Sequence, residues 1–172
     1  CTHSAVFQQP ASGAIGKAEC AGVRARFRYC IHGHALRASL YPPVMVLYRR
    51  ALGHYAQDGH TQRLMVNGAV TEIAAPIAHD DSKPLSTWVA AQDRYSTLEC
   101  DWLCARAADS LSRPDRIRRW IVVAPWLVPI YCLLIRGLLL DGRAGIYYAL
   151  QRGIAEGMLA LKLLDRKLRL TK

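Results

Sequence analysis

The sequence predicts an α+β chain: short strands with a β-hairpin, followed by three to four C-terminal helices. Three observations carry that expectation. Apolar and polar residues alternate at short range over roughly the first eighty positions. From Pro84 the apolar spacing changes to threes and fours. From Ser112 onward the chain becomes its most apolar and its most basic part at once.

The opening, "CTHSAVFQQPASGAIGKAECAG", has no clear period and lacks the basic stretch and apolar run of a signal peptide. We read 1–22 as irregular, a chain edge or the tail of a truncated domain. "VRARFRYCI", Val23–Ile31, alternates as a half-buried strand does. "YPPVMVLYRR" starts with a Pro pair that forbids helix, then gives a short apolar run closed by two arginines. In "QRLMVNGAVTEIAAPI", Asn67-Gly68 separates two apolar runs, the signature of a tight hairpin with positive φ in its turn. The region 23–83 is therefore read as strand-rich.

Ser82-Lys83-Pro84 opens a helix. Pro is tolerated in the first turn, and a hydroxyl can cap free N–H groups. Leu85, Trp88, Val89, Gln92, Tyr95, Glu99, Trp102 and Leu103 recur at helical spacing, so the helix should run from about Pro84 towards Ala108 and stop before Pro114. Trp88 and Trp102 would anchor its buried stripe. The run Trp120 to Ile135 has no charge but is only sixteen residues, interrupted by Pro125 and Pro129. It is short of the roughly 20 residues that span hydrocarbon. Arginines flank it, and Trp120, Trp126 and Tyr131 suit the headgroup level, so an interfacial or re-entrant helical hairpin is expected. A buried helix pair of a water-soluble domain is the other reading. After Asp141-Gly142 a last amphipathic helix carries Arg152, Lys162, Arg166, Lys167 and Arg169 among its leucines. The region 84–172 is thus read as helical and membrane-associating.

The formal charge is +10, with 23 Lys and Arg against 13 Asp and Glu. From Ser112 to Lys172 there are 12 Lys or Arg and 4 Asp or Glu, so 12 − 4 = +8 lies in the last third. Basic and apolar character in one segment favours an anionic membrane surface, where each nearby cation adds about 1 kcal/mol. Nucleic acid is not the expected partner, because its binders more often set charge on a polar face with interleaved aromatics; the charge alone speaks for it. The six cysteines show no CxxC and no framework, so reduced thiols are expected. Cys100 and Cys104, one helical turn apart, read as small core residues in preference to a metal pair.

"HDDSKPLSTWVAAQDRY", His79 to Tyr95, gathers a His, three carboxylates, a Lys and an Arg. Taken in order, "YPPVMVLYRR", "DGHTQRL", "APIAHDDSKPLSTWVAAQDRY", "LLLDGRAGIYYALQR" and "LKLLD" resemble the C-terminal part of bacterial family 2 glycosyltransferases of the lipopolysaccharide-core type. The resemblance runs from about Arg24 to Asp165. It implies a fragment of an α/β GT-A-type enzyme that docks on the cytoplasmic face of the inner membrane, peripherally or re-entrantly. The implied partners are a nucleotide-sugar donor and a lipid-linked saccharide acceptor. The donor-binding half, with its Asp-x-Asp, lies upstream in that family and is not in this sequence, so the chain alone is expected to be inactive. A divalent cation, Mg or Mn, is implied for the full-length enzyme and none for this chain alone.

The resemblance also implies roles for single residues. In an inverting transfer a carboxylate deprotonates the acceptor hydroxyl as it attacks the anomeric carbon. "DGH" falls where the family places that base, which marks Asp58, with His60 beside it. Many members carry a His-Glu pair there, whereas Thr61 follows His60 here, and Asp58-Gly59 also reads as a simple turn. His79 resembles the late histidine that completes metal or diphosphate binding. Asp80 and Asp81 either orient it or complement the positive end of the next helix. Lys83, Trp88, Gln92, Arg94 and Tyr95 fall on the acceptor side and are the expected substrate-binding residues. The alternative expectation is a non-catalytic, basic amphipathic module for membrane-surface attachment or assembly.

Overall fold

The computed structural model describes residues 20–58 and 61–170. The chain is α+β: strands fill its first half and helices its second. The strands are β1 (Cys20–Ile31), β2 (His34–Ala35), β3 (Val44–Tyr48), β4 (Gly53–Asp58), β5 (Thr61–Val66) and β6 (Ala69–Asp80). The helices are α1 (Leu85–Ala105), α2 (Arg113–Arg119), α3 (Ala124–Ile130) and α4 (Gly142–Leu170).

β1 organises the main sheet and has three partners. It pairs antiparallel with β3 through Gly22–Tyr48, Val23–Leu47, Arg24–Met45 and Ala25–Val44, with an irregularity between Val23 and Arg24. At its other end it pairs antiparallel with β2, through Cys30–Ala35 and Ile31–His34. β6 is its third partner, and β4 and β5 form a separate two-stranded sheet.

This topology corrects the expected hairpin. Asn67-Gly68 does not fold β6 back on β5; the hairpin is β4–β5, and its connection, residues 59 and 60, lies outside the described residues. Gly68 has φ +122, but Asn67 has no positive φ, so the pair lacks the two left-handed residues of a type I′ turn. The Asn67 N–H instead donates to the Leu52 carbonyl at 2.8 Å, and the chain crosses from one sheet to the other. A side chain on Gly68 would meet the Ala21 methyl.

The described residues form two compact units. The first contains 20–27, Tyr41–Ala56 and Leu64–Ile77. Its β1 segment is held to β6 by the Arg26–Glu72 ion pair at 2.7 Å, and the Arg49 N–H donates to the Ala21 carbonyl at 2.9 Å. The second contains Arg28–Leu40, 57–58, 61–63 and 78–170. One core cluster there joins Tyr29, Ile31 and Leu36 to Cys132, Leu138, Tyr148 and Ala149. Another joins Cys100, Leu103 and Leu111 to Leu159 and Leu163.

α1 buries Trp88, Ser96, Cys100 and Leu103 on one face. Of the expected stripe only Trp88 and Leu103 are buried; Leu85, Val89 and Tyr95 are exposed and Trp102 is half-buried, so the packed face is turned towards Ser96 and Cys100. Its start differs from expectation. Pro84 is the N-cap with no side-chain cap, and no acidic residue lies in the first turn. Neither Ser82 nor the two aspartates serve the helix end, for the reason given below. α2 has the hydroxyl cap that α1 lacks: Ser112 Oγ accepts from the Asp115 N–H at 3.4 Å, with Pro114 in the first turn.

The Trp120 to Ile135 run forms α3 and a π-helical turn over Tyr131–Ile135, closed by the Arg136 N–H on the Tyr131 carbonyl at 3.0 Å. α3 packs on α4 at Gly153, where a Cβ would come 2.9 Å from Pro129 Cγ and 3.3 Å from the Pro125 carbonyl. A 3₁₀ turn, Leu138–Asp141, then leads into α4 through Gly137 and Gly142, with φ +70 and +59.

Candidate functional site

The sequence-marked residues that the second unit brings together lie where β6 leaves the sheet. Tyr29 on β1 is the centre. Its ring is buried, 5.2 Å from the His79 ring and 5.5 Å from that of Tyr148. Its hydroxyl donates to Asp81 Oδ2 at 2.8 Å, and the Asp81 N–H donates to the Cys30 carbonyl at 3.0 Å. The Asp81 side chain is only 8 % exposed. Its Oδ1 is buried without a hydrogen bond, and Lys83 Nζ stands 3.9 Å from it, within ion-pair reach but too far to donate. Asp80 accepts the Gly33 N–H on both oxygens at 3.1 Å.

The aspartates are therefore spent on the sheet: one fastens the β1–β2 turn, where His32 has φ 47, and the other holds a tyrosine. That is why they do not serve α1. A hydrogen bond to a charged group contributes about 1.5–3 kcal/mol. Asp80 also helps to push the Cys30 thiol up from its usual range, after burial, the larger cause.

The other expected residues sit as follows. Asp58 is the last residue of β4, and its side chain lies outside the described residues, as does all of His60. Trp88 is 5 % exposed and belongs to the buried face of α1. Gln92 is half-buried; Arg94 is exposed, with its guanidinium 5.5 Å from the ring centroid of Tyr95, itself exposed. Of the acids near it in sequence, Asp93 takes Lys162 at 2.6 Å and Glu99 lies 3.5 Å from Arg118. So the structure groups His79, Asp81 and Lys83, and puts Trp88 in the core.

Among the described residues no three His, Cys, Asp or Glu side chains converge as metal ligands. Asp80 and one oxygen of Asp81 are already hydrogen-bonded, and Cys100 is buried, its thiol pushed up by desolvation and then by Cys104. The arrangement sets an imidazole and an exposed ammonium beside the two carboxylates at a strand end.

Sequence reasoning missed Tyr29, Gly33 and Asp141. Asp141 accepts the Arg37 N–H at 2.8 Å and Arg37 Nε at 2.9 Å, while Leu40 N–H donates to Tyr148 Oη at 2.9 Å. The "LLLDGRAG" stretch thus grips the segment after β2. Gly145 has a stricter reason: any Cβ there would run into the Leu138 carbonyl. A groove of about 680 Å³ between α1 and α4 is lined by Asp101, Lys162, Asp165, Arg166 and Arg169. Its charges pair with each other or with Asp93, Arg166 with Asp101 and Arg169 with Asp165, and it gathers none of the marked residues.

No protein-family model, curated protein or solved structure matches the chain.

The opposite character appears from Trp120 to Leu140. Trp120, Val122, Trp126, Leu134, Ile135 and Leu140 are each between 65 % and 73 % exposed. Single exposed leucines are ordinary on a protein surface; six large apolar side chains exposed within 21 residues are not. No single helix among the described residues is long and apolar enough to cross a membrane.

Proposed function

We propose that the chain is the C-terminal part of an inverting sugar transferase that moves a sugar from a nucleotide donor to a lipid-linked saccharide, of the lipopolysaccharide-core type. What supports the reading is the cluster at the exit of β6. His79 and Lys83 are held beside Tyr29 and Asp81 at the end of a sheet strand, where an anionic diphosphate would be received. In this reading Asp58, at the end of β4, is the base that takes the proton from the acceptor hydroxyl, with His60 next to it. Gln92, Arg94 and Tyr95 face the acceptor, and Trp88 supports them from the core. A divalent cation, if the enzyme uses one, belongs with the donor-binding half. The enzyme works at the cytoplasmic face of a bacterial inner membrane.

The test is nucleoside-diphosphate release from a panel of nucleotide sugars with a lipopolysaccharide-core acceptor. The chain joined to its donor-binding half is expected to release the diphosphate only when the acceptor is present, and the 172-residue chain alone to release none. Release by the short chain alone, or none by the joined protein with any donor, contradicts the reading. A second reading, a non-catalytic membrane-surface module, is favoured by the exposed apolar surface from Trp120 to Leu140.

A further inference from the structure

We infer that α3, its π-helical turn and the 3₁₀ turn after it form a wedge that enters a single leaflet of an anionic bilayer. The inference rests on the membrane-surface reading and specifies the surface and the depth.

The spacing is the first argument. The exposed apolar residues of α3 and the π turn come as adjacent pairs four apart: Trp126 with Leu127, Ile130 with Tyr131, Leu134 with Ile135. In a regular α-helix a step of four drifts by about 40° per repeat, so the pairs would begin to wind round the axis. The π turn over Tyr131–Ile135 has more residues per turn and keeps the last pair closer to the line of the first. Leu139 and Leu140, on the 3₁₀ turn, extend the apolar surface past Gly137. Meanwhile Ala124, Cys132 and Leu138 point inward and are buried, and Gly153 of α4 accepts the two prolines. The segment therefore has a packed face and, among the described residues, an exposed apolar one.

Length sets the depth. Ala124–Ile135 is twelve residues, about 18 Å of helix, against roughly 30 Å of hydrocarbon. The next helical stretch leaves at a 75° bend, and α4 carries Arg152, Glu156, Lys162 and further charges that hydrocarbon would not accept. A wedge of this length reaches into one leaflet and turns back.

Charge selects the occupant. Arg113 and Arg116 precede the apolar segment, and Arg136 and Arg143 follow the π turn and the 3₁₀ turn; all four are exposed. Arg136 Nη2 also donates to the Ser39 carbonyl at 2.8 Å, which holds its stem against the unit. Trp120, 67 % exposed, stands between α2 and α3, where an indole suits the headgroup level. Arg116 Nε likewise donates to the Leu111 carbonyl at 3.2 Å; both bonds leave the positive charge in place, and anionic headgroups balance the charge of the four guanidinium groups where a purely apolar partner does not. The junction is also fixed. Ile121 has φ 63, a costly conformation for a β-branched residue, and it is held there by packing against the cluster of Cys100, Leu103, Leu111, Leu159 and Leu163.

The experiment uses the whole 172-residue chain with vesicles of phosphatidylcholine containing a minority of phosphatidylglycerol. Brominated lipids carry the quencher either near the glycerol end of the acyl chain or near its methyl end. The expected result is salt-sensitive binding with tryptophan quenching by the shallow bromines and little by the deep ones, the quenching weakened when Trp126 is replaced by Phe. Ile135→Glu, at a position 73 % exposed and so harmless to the fold, is expected to weaken binding at least tenfold, with an unchanged circular dichroism spectrum. A joint Arg113→Gln, Arg116→Gln variant should lose the preference for phosphatidylglycerol. Equal quenching at both depths would mean a span and overturn the inference. So would unchanged binding by Ile135→Glu, or a solution dimer that Ile135→Glu dissociates, which would assign the face to a second copy. These readouts need no sugar donor, so a chain that docks but belongs to no active transferase refutes the catalytic reading alone.

Discussion

Replacing Arg118 with Met tests how the helical part of the second unit is held together. Arg118 lies on α2, and its guanidinium reaches three carboxylates. Nε donates to both Glu156 oxygens at 3.1 Å, Nη2 donates to Glu156 Oε1 at 2.9 Å, and Nη1 lies 3.3 Å from Asp115 Oδ1 and 3.5 Å from Glu99 Oε1. It thereby ties α2 to α4 and to α1. The three carboxylate side chains are 12 %, 15 % and 12 % exposed for Glu156, Asp115 and Glu99, and that of Arg118 is 34 % exposed. Burial works to lower the Arg118 pKa, but the Glu156 hydrogen bonds and the surrounding carboxylates outweigh it and raise the value.

Removing one partner of a buried ion pair costs about 3–5 kcal/mol; a guanidinium one-third exposed is partly screened, which brings the expectation to about 2–3 kcal/mol. With a urea m-value of about 2 kcal/mol/M, the unfolding midpoint falls by roughly 1–1.5 M. Because the folded pKa of Arg118 is raised, its contribution is fully present below its unfolded value and is lost only as pH rises through the folded value. At neutral pH it is complete. In the variant the destabilisation comes from carboxylates left without their cation. Urea unfolding of both proteins at neutral pH is the assay. A midpoint change below about 0.3 M refutes the reasoning.

Two further outcomes are expected. Tyr29→Phe keeps the ring but removes the hydroxyl on Asp81, leaving a nearly buried carboxylate without that bond; stability should fall by about 2 kcal/mol in urea unfolding, and a loss under about 0.5 would show that the hydroxyl does not hold Asp81. In alkylation followed by mass spectrometry, Cys20 should react faster than Cys132 or Cys30, and at lower pH. Thr71, 3.6 Å from its sulfur, lowers the Cys20 pKa, whereas burial raises the other two; equal rates would contradict that order.

The change of period at Pro84, the burial of Trp88 and Leu103 and the start of α4 at Asp141-Gly142 are readable, because helical spacing is a local pattern; which neighbours of Trp88 share its packed face is not, since Leu85, Val89 and Tyr95 are exposed. Strand partners were not. Asn67-Gly68 carries a turn preference, but a turn becomes a hairpin only if the strands on both sides choose each other, and β6 pairs with β1 instead. The aspartates of "HDD" were misjudged for a related reason. Their nearest neighbour in sequence is a helix start, while their partners, Gly33 and Tyr29, lie 47 and 52 residues away. Arg118 among three acids, and Gly145 against the Leu138 carbonyl, likewise depend on distant elements meeting, which no local spacing announces.

The most direct test of the proposed catalysis is turnover by the protein that joins this chain to its donor-binding half, with Asp58 intact and as Asp58→Asn. Removing a base that takes the acceptor proton should lower kcat by about 10²–10⁴-fold while donor binding stays within a factor of about two. Near-normal turnover by Asp58→Asn would contradict the account.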